Sequence, residues 1–362
     1  MTERARIMTE AAALRASFEA RGAQPIETPI LQPADTLLDL YGEDIRARAY
    51  VTSDPLRGEQ MLRPDFTVPV VQMHMAHGAE PARYAYAGEV FRKQEDDPHR
   101  ENEYFQAGFE VFDRQDPVRR EAEVFAALAE PLHDVSLRAV TGDIGILKAA
   151  VQGMETTSRR KAALLRHIWR PRRFRALLER FAGRMQPPLS RQTMLAAADP
   201  FANAAPHIGL RSRSEIEDRI AALHEDAQAA PIAARDVDLI DAILSVRDTL
   251  PAALERLSRI ARDMPAIEPA VARLQERIDA MDQIGQKPDE ISFEGSYGRS
   301  TMEYYDGFVF GLFATARPEW PPLGSGGRYD ALTAVLGEGR NIPAVGGVLR
   351  PGLLLQLREG AQ

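Results

Sequence analysis

The chain has 362 residues, 44% of them hydrophobic, with 45 basic against 53 acidic side chains and a formal net charge of -8. That length and apolar content suffice for one to three domains with sizeable cores, while the acidic balance removes any overall electrostatic reason to bind nucleic acid or anionic lipid. With no cysteine, disulfides, thiolate metal sites and cysteine nucleophiles are excluded together and a reducing cytoplasm fits best; no run approaches the roughly 20 apolar residues of a membrane span, and Met1 to Arg15 lacks the apolar segment of a signal peptide.

Residues 2 to 21 place Ile7, Ala11, Leu14 and Phe18 at helical spacing and stop at Gly22, which predicts an amphipathic helix. From Pro25 to Val118 short extended runs follow, and Arg83 to Arg92 and Tyr104 to Phe112 are expected as antiparallel strands joined by a charged loop, Lys93 to Glu103. Pro117 to Glu130 reads as a helix and Val135 to Val140 as a strand leading into a turn at Gly142-Asp143. Between about Leu147 and Asp282 the pattern is helical, with breaks at Pro171, Pro187-Pro188 and Pro231, so a helical insertion separates two strand-rich parts. From Ile291 to Leu355 strands return around Gly311-Leu312-Phe313, a Pro-rich loop at Pro318 to Pro322, and Gly324 to Gly327. There is no internal repeat or low-complexity segment.

Three constellations carry chemistry. In Leu62-Arg63-Pro64-Asp65-Phe66-Thr67, the two-residue spacing lets Asp65 and Thr67 face the same way, a carboxylate and a hydroxyl suited to an ammonium group; a turn or helix cap uses the same residues. If the two expected strands pair, Arg92 offers a bidentate cation, while Gln106 and Glu110, four apart, offer an amide and a carboxylate on one face. A solvated sheet face with cross-strand ion pairs is the alternative. The third joins Ser300-Thr301-Met302-Glu303-Tyr304-Tyr305-Asp306-Gly307 to Gly326-Gly327-Arg328-Tyr329-Asp330. Alternation would put Tyr304 and Tyr305 on opposite faces, one lining a pocket and one packing, and the paired glycines permit close backbone approach.

Two further features stand apart from these. Ser158 to Arg184 holds ten basic residues against the single acid Glu179. Such a run suits nucleic acid, a partner's acidic face, or a solvated face paired within the chain. The seven histidines, His74, His77 and His99 among them, make no metal set, and the three-residue spacing of His74 and His77 is expected on a helix surface.

In order and approximate spacing, the three constellations resemble the core of histidyl-tRNA synthetases, a class II family, over about residues 1 to 145 and 285 to 350. The most specific parts are Leu-Arg-Pro-Asp-Phe-Thr, the Phe-Arg to Gln-x-x-x-Glu block, and Tyr-Tyr with Gly-Gly-Arg-Tyr-Asp. The resemblance implies an α+β fold: a class II synthetase-like antiparallel sheet flanked by helices, built from residues 1–145 and 285–362, with 146–284 as the helical insertion. It implies a histidine pocket in which Asp65, with Thr67 beside it, holds the ammonium. Gln106 and Glu110 contact the histidine, Tyr305 and Tyr329 line its side-chain pocket, and Arg92 grips the carboxylate. Pro25 to Leu38 would be the dimerising motif 1.

The departures point to a particular relative. Aligning the paired tyrosines puts Ser300 where the family has its catalytic arginine, and Arg299, one residue away, would turn to the opposite face of an extended segment. Gln94 replaces the glutamate used for adenine. The motif 3 arginine is missing: Arg350 lies three residues early, and Pro351 would break or restart a helix. Only about ten residues follow, so no anticodon-binding domain is expected. A chain that keeps most of the histidine contacts, with Asp65 where the family has a glutamate, and loses the ATP and activation arginines resembles the regulatory subunits of ATP phosphoribosyltransferase. That resemblance implies a protein without catalytic residues or cofactor of its own, with histidine as effector. It implies assembly with a short-form catalytic subunit in a hetero-octamer at the first committed step of histidine biosynthesis. A truncated histidine-activating synthetase or amino-acid ligase is the alternative.

Overall fold

Thr2 starts the first helix, α1 (Glu3–Glu19), its hydroxyl accepting from Ala5 N at 3.3 Å, and Ala11, Leu14 and Phe18 form the buried stripe. In this computed structural model, which describes residues 1–41, 45–93, 101–202, 204, 208–299 and 304–360, the chain continues through β1 (Gln24–Pro25), β2 (Leu31–Pro33), α2 (Ala34–Tyr41), α3 (Ile45–Arg48), β3 (Val51–Asp54), β4 (Gly58–Leu62) and α4 (Thr67–His77). The two strands expected next are β5 (Ala82–Phe91) and β6 (Glu103–Phe112), antiparallel along their whole length, followed by α5 (Pro117–Ala129) and β7 (Leu137–Asp143). Gln94, His99 and Ser300 to Glu303 lie outside the described residues, as do most of the expected loop Lys93 to Glu103 and the side chain of His77.

Helices dominate from α6 (Ile144–Gly153) through α7 (Ser158–Arg166), α8 (Pro171–Phe181), α9 (Leu189–Ala196), α10 (Arg213–Gln228) and α11 (Ala234–Leu244) to α12 (Leu250–Asp263) and α13 (Glu268–Gln283). One short strand, β8 (Arg247–Thr249), interrupts them and pairs with β9 (Ser292–Glu294). The chain closes with β10 (Phe308–Ala314), β11 (Gly324–Arg328), α14 (Asp330–Leu336), β12 (Ala344–Leu349) and α15 (Pro351–Gly360). Pro171 and Pro351 each occupy the first position of a helix, where a missing N–H is harmless.

Among the described residues nine strands form one sheet in the order β1-β5-β6-β12-β11-β10-β7-β9-β8, antiparallel except at β1-β5 and β7-β9. A small second sheet runs β2-β4-β3. The expected turn at Gly142-Asp143 is instead the end of β7: these residues pair with Val309 and Phe308, and long-range pairing overrides local turn preference. Gly326 and Gly327 likewise sit mid-strand, opposite Gly347 and Gly346 of β12. Alternation assigns the two faces. Phe109 stacks on Phe18 of α1 at 5.6 Å between centroids, and Phe125 of α5 meets Phe310 edge-on at 5.3 Å, whereas α4 covers the face that bears Glu110.

A buried ion network ties α13 to this sheet. Glu121 of α5 accepts from Arg277 of α13 and from Arg328 of β11, and Arg277 also donates to Asp143 of β7 at 2.8 Å. Much of the basic stretch is used within the chain: Arg160 is buried and donates to Asp226 at 2.6 Å, Arg159 pairs with Glu225 at 3.4 Å, and Arg175 pairs with Glu179 and Asp241. Phe174 and Phe181 are core residues of α8, so they are unavailable for base stacking.

Candidate functional site

The register of four strands builds the site. Glu110 of β6 stands opposite Tyr84 of β5 and Gly346 of β12, and Gly346 stands opposite Gly327 of β11. Opposed residues share a face, so these two cross-strand glycines leave room on the sheet surface for neighbouring side chains to lie against it. A Cβ at Gly346 would lie 1.4 Å from Glu110 Oε2, and one at Gly327 would lie 2.8 Å from the Tyr305 ring. The Glu110 carboxylate and the Tyr305 ring thus occupy the space that side chains at these positions would take, and they seat against the sheet because both positions carry none.

Glu110 is fully buried. Its Oε1 accepts from Thr67 Oγ1 at 3.1 Å and from the Tyr86 hydroxyl at 2.8 Å, and its Oε2 accepts from the Tyr329 hydroxyl at 2.5 Å. No basic side chain among the described residues pairs with it. Burial pushes its carboxyl up to about 7, although the hydroxyls of Tyr329, Tyr86 and Thr67 pull the other way. A carboxylate has about four acceptor positions, so Oε2 retains one for a ligand N–H. Gln106, four residues earlier on the same face and 2% exposed, buries an Oε1 with no partner among the described residues. Buried polar atoms in folded proteins rarely go unpaired; an unmet acceptor on this face suits a donor brought by a ligand.

Asp65 and Thr67 are both buried, but the two-apart alternation expected of them does not hold: Thr67 opens α4. Asp65 Oδ1 accepts from Val68 N at 3.2 Å, so it caps the first turn as well as standing near the cluster, close enough for its charge to raise the Glu110 carboxyl. Arg92 is half-buried at the end of β5, with Nε donating to the Pro64 carbonyl at 2.6 Å. Tyr304 and Tyr305 are not on opposite faces of a strand. They form a turn in which both rings are buried and meet edge-on at 4.9 Å, and Tyr304 lies 6.1 Å from Tyr329. Burial, reinforced by the Glu110 charge, pushes the Tyr305 phenol well up. Thr67 and Tyr329 therefore contact Glu110, Asp65 and Tyr305 lie within electrostatic reach of it, and Gln106 stands four residues away along the same face.

Arg299 is directed away into the helical region: Nε donates to the Ile168 carbonyl at 2.8 Å and the guanidinium lies 4.7 Å from the Phe174 ring. Arg350 donates to the Pro322 carbonyl, behind the next strand.

Two residues escaped the sequence reading. Tyr86 donates to Glu110 and stacks on Phe66 at 4.3 Å; its signal was the β5-β6 pairing itself, which sets Tyr86 opposite Gly108 on the Glu110 face. His74, expected on a helix surface, is completely buried, with Nδ1 3.0 Å from the Tyr84 hydroxyl and its ring stacked on Phe112 at 4.0 Å. The helix lies against the sheet along that side, and burial lowers the imidazole's affinity for a proton.

The histidyl-tRNA synthetase family model matches residues 2–203 and 212–352. A curated relative from Brucella anthropi, named ATP phosphoribosyltransferase regulatory subunit, is 31% identical over 357 residues, 92% of this chain and 93% of the relative. One of the same name from Brucella canis is 32% identical over 355 residues, with 92% and 93% coverage. Among solved structures, an ATP phosphoribosyltransferase regulatory subunit/histidyl-tRNA synthetase from Bacillus halodurans C superposes with a TM-score of 0.70 at 20% identity, covering 98% of this chain and 80% of that one. The histidyl-tRNA synthetase from Nostoc sp. PCC 7120 gives 0.64 at 15% identity over 99% and 73%. These structural likenesses carry the class II synthetase-like fold, and the sequence matches carry the family: this chain belongs to the histidyl-tRNA synthetase-like proteins and, among them, to the ATP phosphoribosyltransferase regulatory subunits.

Proposed function

We propose that this chain is a non-catalytic subunit that assembles with a short-form ATP phosphoribosyltransferase, activates it, and binds histidine as the feedback signal of the pathway. The observation that carries the reading is the hydroxyl-lined Glu110 carboxylate, with the unpartnered Gln106 Oε1 four residues earlier on the same strand face. An imidazole N–H fits the open position on Glu110, an ammonium group fits Asp65 and Gln106, and Arg92 is the cation for the carboxylate. The catalytic arginine position holds Ser300 and motif 3 lacks its arginine; losing one preorganised charge-stabilising group typically costs about a hundred- to thousand-fold in rate.

Exposed Ile30, Leu31, Val51 and Leu56 on the small sheet suit self-association through the motif 1 region, within a hetero-octamer. No described helix is long and apolar enough to cross a membrane, and we place the assembly in the cytoplasm. Regulation would be a coupling free energy between this pocket and the partner's active site.

Co-expression with a short-form ATP phosphoribosyltransferase tests the proposal. The complex should co-purify, its activity should exceed that of the partner alone, and histidine should inhibit it. Asp65→Ala or Tyr305→Ala should weaken histidine binding in calorimetry. Unchanged histidine affinity in both variants would refute the pocket, and histidine-dependent pyrophosphate exchange by the chain alone would refute the non-catalytic assignment.

A further inference from the structure

One corner of the helical region holds the core on both sides of its tyrosine pair. The link between α7 and α8, Ile168 to Arg170, supplies an acceptor and a donor to residues six apart in sequence: Ile168 O accepts from Arg299 Nε at 2.8 Å, and Trp169 Nε1 donates to Tyr305 O at 2.9 Å. Phe174, in the first turns of α8, lies 4.7 Å beneath the Arg299 guanidinium. Arg299 is 4% exposed, and one of its terminal nitrogens is buried without a partner among the described residues.

A guanidinium buried this way is costly; burial alone pulls it down to about 10. It is held by a carbonyl and an aromatic face belonging to the corner, so core and corner fix one another. The corner in turn is braced through the helical region. Leu164, Ile168, Phe174 and Leu178 are buried, Arg160 of α7 reaches Asp226 of α10, and Arg175 of α8 reaches Asp241 of α11. At the other end, the Tyr305 ring lies over Gly327 within electrostatic reach of Glu110. The indole N–H orients the peptide group from which that ring projects.

We propose that Trp169 is a positioning residue for the Glu110 pocket and that ligand occupancy there is felt at the α7-α8 corner through the Trp169–Tyr305 bond. This inference rests on the reading of the pocket as a histidine site. Trp169 acts through Tyr305 and need not touch the ligand.

The chain's only other tryptophan, Trp320, lies in a loop after β10, so each indole can be observed alone. In the full-length Trp320→Phe protein, purified with a partner whose own tryptophans are replaced by Phe, L-histidine should change the emission of Trp169. In Trp169→Phe, which keeps an aromatic ring but loses the donor, histidine should bind about two- to tenfold more weakly, the fold-change of one neutral hydrogen bond, with the thermal midpoint measured without ligand lowered by no more than about 4 °C. Calorimetry on the unmodified complex separates the two readings. Histidine binding with silent Trp169 emission and undiminished affinity in Trp169→Phe would overturn the inference and leave the pocket standing. No histidine binding in the unmodified complex would overturn the pocket assignment itself.

Discussion

Glu110 and Glu121 are both buried at the heart of this protein, yet one is surrounded by three hydroxyls and the other lies between two arginines. Burial raises both carboxyls. At Glu110 the hydroxyls compensate only in part, and the group rests at about 7; at Glu121 the charges of Arg277 and Arg328 outweigh burial and hold it below the usual range. The contrast separates two uses of a buried charge. A carboxylate matched by guanidinium groups is committed to joining β7, α5, β11 and α13. One matched by hydroxyls is left short of positive charge and of one hydrogen-bond donor, which a ligand can bring.

Glu121→Ala is the severest way to break the comparison. It strands Arg277, 2% exposed, and Arg328 without their shared carboxylate, and removing one partner of a buried pair costs about 3–5 kcal/mol. Urea unfolding followed by circular dichroism should show that loss; a change below about 1 kcal/mol would mean the network is not what anchors α13. The next test is pH. A carboxyl raised from 4.5 to about 7 in the folded state keeps a proton that the unfolded chain has released. Its contribution to stability is therefore full below about pH 4.5 and is lost as pH rises towards 7, by up to about 3 kcal/mol. The difference between the unmodified protein and Glu110→Gln, followed from pH 4.5 to 8, isolates this slope. The same variant should lower histidine affinity at least about tenfold while moving the unfolding midpoint far less than Glu121→Ala does. If the two variants destabilise alike, the distinction between them fails. The smallest effect is expected of Tyr329→Phe: loss of one hydroxyl donor should cost about 1 kcal/mol and shift the Glu110 titration upward, as read by carboxyl carbon NMR.

The long strands β5 and β6 were legible because each is a run of ten residues rich in aromatic and β-branched side chains, bounded by turn-forming residues. With them came the shared face of Gln106 and Glu110. What could not be read was conformation decided from outside the segment. Thr67 opens a helix, not a strand; Tyr304 and Tyr305 meet in a turn; Gly142 and Asp143 extend β7 because β10 lies alongside. His74 escaped because three-residue spacing marks a helix face without saying what covers it. Tyr86 escaped because its importance depends on the partner strand bringing Glu110 within 2.8 Å of its hydroxyl.

The bare Gly346 beside Glu110 also sets how this pocket can change over time. Most binding sites can be retuned by degrees, a methylene at a time. Here the first carbon added at position 346 would fall 1.4 Å from Glu110 Oε2, so no intermediate exists between a seated and an evicted carboxylate. Gly346→Ala in one lineage would unseat Glu110 in a single step, a cliff where neighbouring positions offer slopes.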